Sequence, residues 1–454
     1  MKTKIHMTQK IRLWVLLPVL TLCTSALQGQ TVTEELLAQP ERAGGIAYAL
    51  PTNIPYKDTP APDGKKPFYL SHFGSSAAYY REDRKDYEMP LNILIKADSM
   101  NMLTPLGKDV LRRFNLINQD AAHRSGELTF RGAQQMRELA QELVDRFPQL
   151  FDDGSFIDAR SIVRNHNIMT MQEAMTQIAR HGTQMDLRIK SSHSNDPWMY
   201  VRDKELEADR FNDETEACYL QFRAANINPQ RLMESLFVSP DYVKQNIDPV
   251  KFSEQIFLVA NTVQHIALKD KMTLYDIFTP QELYQHWRIR NAWNYIRYGC
   301  FELNGGNQPY SQRAPLWNLL HMGDSIKALD FPVVHLRYSS RGMLISMICL
   351  MELNGYGLKT ANLNQLDSLG WIDYRMGPFG SNLQVIHYRK DKNDDDILIK
   401  VLLNGQEMRL PITTDCAPYY HWQDVKRYYL RKLYAHERQR YDDKQKKKGQ
   451  NEEQ

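Results

Sequence analysis

The chain has 454 residues, 42% of them hydrophobic and 24% charged, enough to bury a sizeable core in one large domain or two smaller ones. Lysine and arginine number 57 against 54 aspartates and glutamates, so a net charge of +3 leaves none of the basic excess that nucleic-acid binding requires. Bulk charge names no partner.

Residues 1–29 read as a secretory leader. Lys2, Lys4, Lys10 and Arg12 precede an apolar run over 13–22, followed by the small and polar Thr24, Ser25 and Ala26. The run falls short of the roughly 20 residues that cross a bilayer, and no later run is longer. No transmembrane segment is expected, and the mature chain is expected in the periplasm or outside the cell. Leu22 precedes Cys23 where a lipid-modification signal wants a small residue, so cleavage near Gly29 is preferred to a lipoprotein.

Without the leader, Cys218, Cys300, Cys349 and Cys416 remain. An even count in an oxidising compartment allows one or two disulfides, with pairing left open. The spacings are too wide for a Cys-x-x-Cys metal site, and Cys349, in the apolar run 344–351, suits the core.

From 30 to 66 the chain carries Pro40, Pro51, Pro55, Pro60 and Pro62, which predicts an irregular wrapping segment. A main domain is expected over 67–433. Phe68-Tyr69-Leu70 reads as a buried strand opening into a loop at Ser71. Met136, Leu139, Ala140, Leu143 and Phe147 share one helical face, and Pro148 ends that helix. Residues 156–163 read as a strand and 168–179 as a helix, giving β-α alternation. The stretch 200–329, with Trp287, Trp293 and Trp317, reads as a helical insertion. Val333 to Tyr338 reads as a strand, with a helix after Gly342. Ile397, Ile399, Val401 and Leu403 alternate up to Asn404-Gly405, a pair suited to positive φ, and Met408, Leu410 and Ile412 return as a hairpin. Residues 434–454, rich in Lys and other charges, predict a solvated, disordered tail.

An ordered set of segments then carries a resemblance. Lys66-Pro67-Phe68-Tyr69-Leu70-Ser71-His72-Phe73-Gly74 is similar to the first strand of the histidine acid phosphatases. Gly126-Glu127-Leu128-Thr129, with Gly132 and Gln135, resembles the family's Gly-Glu-Leu-Thr helix start. Ala159-Arg160-Ser161 with Met169-Thr170-Met171, Leu336-Arg337-Tyr338, Asn382-Leu383-Gln384, Tyr388-Arg389 and Leu402-Leu403-Asn404 match later strands in order, so the likeness spans Gly45 to Tyr429. It implies an α/β fold: a histidine phosphatase-type central sheet flanked by helices, with the helical insertion over the carboxyl ends of the strands, related to phytases and multiple inositol polyphosphate phosphatases.

In that family a His nucleophile attacks phosphorus, three Arg and a second His hold the phosphoryl oxygens, and an acid protonates the leaving alcohol. Carried over position by position, the first Arg falls on Ser75, the nucleophile on Ser76 and the second Arg on Tyr79. The third Arg falls on His166, or on Arg164 after a small shift, the second His on Ser340 and the acid on Arg341. Every catalytic position is substituted. Charge-assisted hydrogen bonds contribute about 1.5 to 3 kcal/mol each, so three lost Arg partners remove roughly 4 to 9 kcal/mol of phosphate binding. A serine at 76 has no base placed beside it by the motif.

The expectation is therefore an exported, inactive phosphatase homologue with a remnant cleft for a phosphate ester or other small anion, its ligand-binding candidates being His72, Ser76, His166 and Arg341. An active phosphomonoesterase on phytate or other phosphate esters is the first alternative, and a structural or protein-binding module the second. Arg180-His181-Gly182-Thr183 spells half the missing signature but follows a helix instead of a strand, and reads as a helix-ending loop. Asp394-Asp395-Asp396 lacks the rest of a calcium loop and His436-Glu437 the second His of a zinc helix. No metal or cofactor is expected. The aromatic and basic residues from Tyr419 to Tyr429 read as a terminal helix packing its rings on the domain.

Overall fold

The computed structural model describes residues 31–452 apart from 53, 57, 63 and 183, with side chains as far as 446; the expected leader lies outside them. Among the described residues ten strands are formed: β1 (Lys66–Ser75), β2 (Phe156–Ser161), β3 (Asp186–Ser191), β4 (Cys300–Phe301), β5 (Val333–Ser339), β6 (Lys359–Thr360), β7 (Asn382–Arg389), β8 (Leu398–Leu403), β9 (Gln406–Glu407) and β10 (Tyr419–His421). All but β4 and β6, which pair with each other, join one sheet in the order β10-β8-β7-β1-β5-β2-β3, with β9 beside β8.

The four strands β1, β5, β2 and β3 run parallel, so their carboxyl ends meet at one edge. Every residue of β5 is buried, as a strand covered on both faces requires. Val333, Val334 and Leu336 have no exposed surface, and burying each side chain contributes about 1.5 to 3 kcal/mol. β1 does not open at Ser71. It runs on to Ser75, because its backbone is paired on both sides, parallel to β5 and antiparallel to β7. Its buried Ser71 accepts from Arg337 Nη1 at 3.3 Å.

Three hydrophobic clusters fill the molecule. One places the helices Phe130–Arg146 and Asn165–Ile178 against a face of the sheet. A second packs the helix Arg341–Leu350 and the root of the helix Trp422–Glu452 on the other face. The third contains no strand and joins Leu36, Tyr87, Phe114, Phe252 and Trp287. The helical layer therefore recruits residues 85–120 as well as the expected 200–329, because the apolar faces of Lys85–Ser99 and Pro105–Asp120 find partners only there.

Three further expectations change. The wrapping segment begins with an ordered helix, Val32–Ala38, closed by a capping box between Thr31 and Glu34. The charged carboxyl-terminal stretch is helical as far as Glu452. Three of its described charges have tertiary partners: Glu437 pairs with Arg313 at 2.7 Å, Lys444 with Glu205 at 2.7 Å, and Arg440 with both Asp203 and Glu205. His436 is buried and stacks on Tyr310 with ring centroids 3.7 Å apart. The four cysteines considered for disulfides are free; Cys349 is 1% exposed within the core, and burial pushes its thiol pKa up. The hairpin turn has the expected geometry, Asn404 at φ 52° and Gly405 at φ 79°, with a return strand of only two residues.

Candidate functional site

The register of the central strands brings together the positions onto which the resemblance carries the catalytic roles. Ser75 pairs with Ser339 across β1 and β5, so Ser76 and Ser340 leave the sheet side by side. β2 ends one step away, Ser161 pairing with Tyr338, and the chain then enters the helix that carries His166. That helix is tied to both neighbours. Thr170 Oγ1 accepts from the Ala77 N–H at 3.1 Å, and Asn167 Nδ2 donates to the Ser339 carbonyl at 2.8 Å.

Most of these side chains are engaged by the fold. Ser75 Oγ donates to the Pro378 carbonyl at 3.2 Å. Ser340 caps the helix Arg341–Leu350, its Oγ accepting from the Met343 N–H at 3.2 Å. Tyr79 stacks on His166, centroids 3.9 Å and planes 6° apart, and meets Phe379 edge-on at 5.3 Å. Arg341 lies over the Phe379 ring at 3.9 Å, donates to the Ile46 carbonyl and reaches the Tyr79 hydroxyl at 3.4 Å. Ser76 is buried, and its carbonyl accepts from the Gly380 N–H at 2.9 Å.

The two histidines of the cluster are poor proton carriers. Burial, then the charges of Arg341 and Arg164, hold His166 down at about 3. Burial holds His72 down at about 4, with Arg337 acting in the same direction. Both are neutral at pH 7 and weak as bases. His72 lies behind the strand end: a Cβ on Gly74 would meet its Cε1 at 2.6 Å, and its buried Nδ1 has no hydrogen-bond partner. His166 Nδ1 stands 3.5 Å from Glu82 Oε1, a contact without hydrogen-bond geometry.

The resembling residues that persist are the supports of this cluster. Thr129 caps the helix Phe130–Arg146 by accepting from the Gly132 N–H, and its own N–H donates to the Ala78 carbonyl, both at 3.0 Å. A Cβ on Gly132 would sit 2.0 Å from that same carbonyl. Gln135 Nε2 donates to the carbonyls of Leu50 and Phe379 at 2.8 and 3.0 Å.

Sequence reasoning missed a set of arginines above the strand ends. Arg202, Arg210 and Arg297 line a pocket of about 90 Å³ with Ser340, Tyr298 and the carboxylates of Asp203 and Glu207, the latter paired with Arg202 at 3.0 Å. Arg297 lies over the rings of Trp293 and Tyr298 at 5.7 and 5.4 Å, and its buried Nε has no partner. Burial holds Arg210 below its ordinary pKa, and the Arg297 charge adds to this. Arg290 behaves alike: burial lowers it first, then the charges of Arg81 and, more weakly, Arg341, while its buried Nε has no partner. Among the described residues neither Arg290 nor Arg297 makes an ion pair. The helical spacing of Trp293 and Arg297 is a local signal; the approach of Arg297 to Ser340 is not. Arg164 stands at the rim, 3.8 Å from Glu82 and over the Tyr200 ring. His181 is far from chemistry: it ends the helix Asn165–Ile178 on the surface and contacts Gln141 at 2.8 Å.

No protein-family profile matches the chain, and no curated protein matches it in sequence. Solved structures do match in fold. The multiple inositol polyphosphate phosphatase of Bifidobacterium longum, solved with inositol hexasulfate and with phosphate, superposes with a TM-score of 0.67 at 13% identity, over 84% of this chain and 97% of that one. The phytase of D. castellii superposes with a TM-score of 0.64 at 13% identity, over 87% of this chain and 85% of that one. The chain thus has the α/β fold of these phosphatases.

Proposed function

We propose that the protein is an exported, non-catalytic relative of the histidine acid phosphatases, holding a small anion weakly beside Ser340. The observation that carries the reading is the occupation of the strand end. Ser75 and Ser340 are spent on backbone hydrogen bonds, Tyr79 and His166 on each other, and Arg341 on Phe379 and Ile46. Phosphoryl transfer through a phosphohistidine needs a nucleophilic nitrogen at the strand end and a proton donor opposite it. The residues carried onto those positions are Ser76 and Arg341. A serine hydroxyl needs an adjacent base, and a histidine held at about 3 is a weak one.

Anion binding rests on other groups, the arginines of the 90 Å³ pocket: Glu207 and Asp203 share its lining and Glu207 pairs with Arg202, but Arg210 and Arg297 make no ion pair among the described residues. Export rests on the leader composition, and mass spectrometry of the mature protein should find a start near Gln30.

The deciding experiment offers phytate and an aryl phosphate to the purified mature chain from pH 4 to 7. Expected are no phosphate release above a Ser76→Ala control and no covalent phosphate on any histidine after quenching. Restoring Ser76→His alone should also fail. Robust release that disappears in His72→Ala or His181→Ala would replace this reading with that of a working phosphomonoesterase.

A further inference from the structure

At the opposite border of the sheet from β3, the edge strand β10 brings three unlike donors together. A carboxylate oxygen of Asp415, the sulfur of Cys416 and a ring nitrogen of His421 all lie within 4.8 Å of one another. His421 Nε2 is 3.0 Å from Asp415 Oδ1, and its Nδ1 is 2.6 Å from Asp396 Oδ1 on the loop between β7 and β8. Lys65 Nζ holds that loop through Asp394 and Asp396, each at 3.1 Å. None of these residues touches the strand-end cluster.

We propose that Asp415, Cys416 and His421 form a zinc site, with Asp396 orienting the imidazole from its far nitrogen. The donor chemistry selects the ion: a thiolate and an imidazole suit Zn²⁺, whereas calcium and magnesium take oxygen donors. Tetrahedral zinc, with bonds of about 2.3 Å to sulfur and 2.0 to 2.1 Å to nitrogen and oxygen, sets its donors about 3.3 to 3.6 Å apart. Closing from 4.8 Å needs side-chain rotation only, and Asp415, with 82% of its side chain exposed, is free to rotate. The Asp396–His421 contact supplies the carboxylate–imidazole pairing that fixes tautomer and ring orientation in zinc sites. Three protein donors leave the fourth position to water.

Proton bookkeeping follows from the contacts. The Cys416 thiol loses its proton to solvent, as does His421 Nε2 when the ring starts as imidazolium, while the Nδ1 proton stays on the hydrogen bond to Asp396. Binding therefore weakens toward acid pH. The ion would tie the loop preceding β10 to the root of the carboxyl-terminal helix, which starts at Trp422 directly after His421.

The sequence hides this site because the cysteine spacing that announces many zinc sites is absent; the pattern is Asp-Cys, four residues, His. The rival is a plain hydrogen-bonded chain, Asp396–His421–Asp415, with Cys416 bonded to Thr414 and the Tyr419 carbonyl.

The test titrates the metal-stripped full chain with Zn²⁺ by calorimetry at pH 7.5 and repeats the loading with Co²⁺. Expected are one equivalent bound, at least 100-fold weaker binding in Cys416→Ser and in His421→Ala, and about 10-fold weaker binding in Asp396→Asn. The Co²⁺ complex should show a near-ultraviolet thiolate-to-cobalt absorption that Cys416→Ser lacks. Zinc should also shield Cys416 of the unmutated chain from alkylation, read peptide by peptide, which needs no variant to fold. Absence of saturable binding, unchanged affinity in Cys416→Ser, or alkylation of Cys416 undiminished by saturating zinc would each overturn the site.

Discussion

The strand-end cluster and the helix Pro280–Tyr298 above it treat polar groups in opposite ways. At the strand end, Ser75, Ser340 and Arg341 satisfy one another's surroundings through backbone carbonyls and N–H groups, and two aromatic rings close the gaps. On the helix, Arg290 and Arg297 keep a buried Nε without a partner. A buried donor left unmade costs about 1 to 3 kcal/mol, so spare donors persist where a ligand or water completes them. On the proposed reading the strand end serves packing, and anion recognition falls to the helical layer.

The largest effect that sharpens this contrast is acid lability. If the cluster is packing, its histidines are core residues held neutral. His72 sits at about 4 and His166 at about 3, and His265, His286, His335 and His387 are likewise held at about 3 by burial. The unfolded chain protonates them near 6.5, so it binds more protons than the native state between pH 6.5 and about 3. Stability is complete above pH 6.5 and falls as the pH drops through that window. Each histidine contributes up to about 1.4 kcal/mol per pH unit, several kcal/mol together. Calorimetric melting against pH should show this slope, shallower in His166→Gln. A flat profile would mean solvated histidines and an open cleft.

Gly132→Ala comes next. Its Cβ would stand 2.0 Å from a backbone oxygen, which cannot swing away as a side chain does. A loss of about 3 kcal/mol in denaturant unfolding is expected, at the upper end of overpacking costs. A loss under 1 kcal/mol would show that the 75–80 loop is not braced by this helix.

Arg297→Met probes the other side of the comparison. At phosphate concentrations ten times its Kd, the unmutated chain gains about 1.4 kcal/mol, seen as a small rise in melting temperature. The variant should lose that gain, and without phosphate its stability should differ from the parent's by no more than about 1 kcal/mol, the worth of the lost contacts with Trp293 and Tyr298, since no ion pair is broken among the described residues. Equal protection of both proteins would move the anion elsewhere.

Much of the scaffold was legible because it obeys local rules. β5 is a continuous apolar run, the Asn404-Gly405 turn needs positive φ, and Thr129 with Gly132 marks a helix start whose function is a cap and a close approach. The resemblance assigned roles to Ser75, Ser76, Tyr79, His166, Ser340 and Arg341 from order along the chain alone. Their new partners did not. Pro378, Phe379 and Ile46 approach from segments 38 to over 300 residues away, and nothing local in Tyr79 announces a stack on His166. The tail failed for the same reason: Arg440 and Lys444 look solvated until Asp203 and Glu205 are placed beside them.

Ser340→Ala carries the smallest effect and separates two meanings of the same residue. As an N-cap, Ser340 satisfies one of the unpaired N–H groups of the helix Arg341–Leu350 through Met343. Removing a serine cap costs about 1 kcal/mol, and Ser340→Asp, which keeps an acceptor oxygen, should restore most of it. As a ligand contact, Ser340 would act differently: alanine would leave stability alone and weaken phosphate protection, and aspartate would weaken it further by repelling the anion. Measuring unfolding free energy and phosphate protection in both variants distinguishes the roles. Stability lost in alanine and regained in aspartate, with phosphate protection kept in alanine, assigns Ser340 to the scaffold and leaves anion binding to the arginines above it.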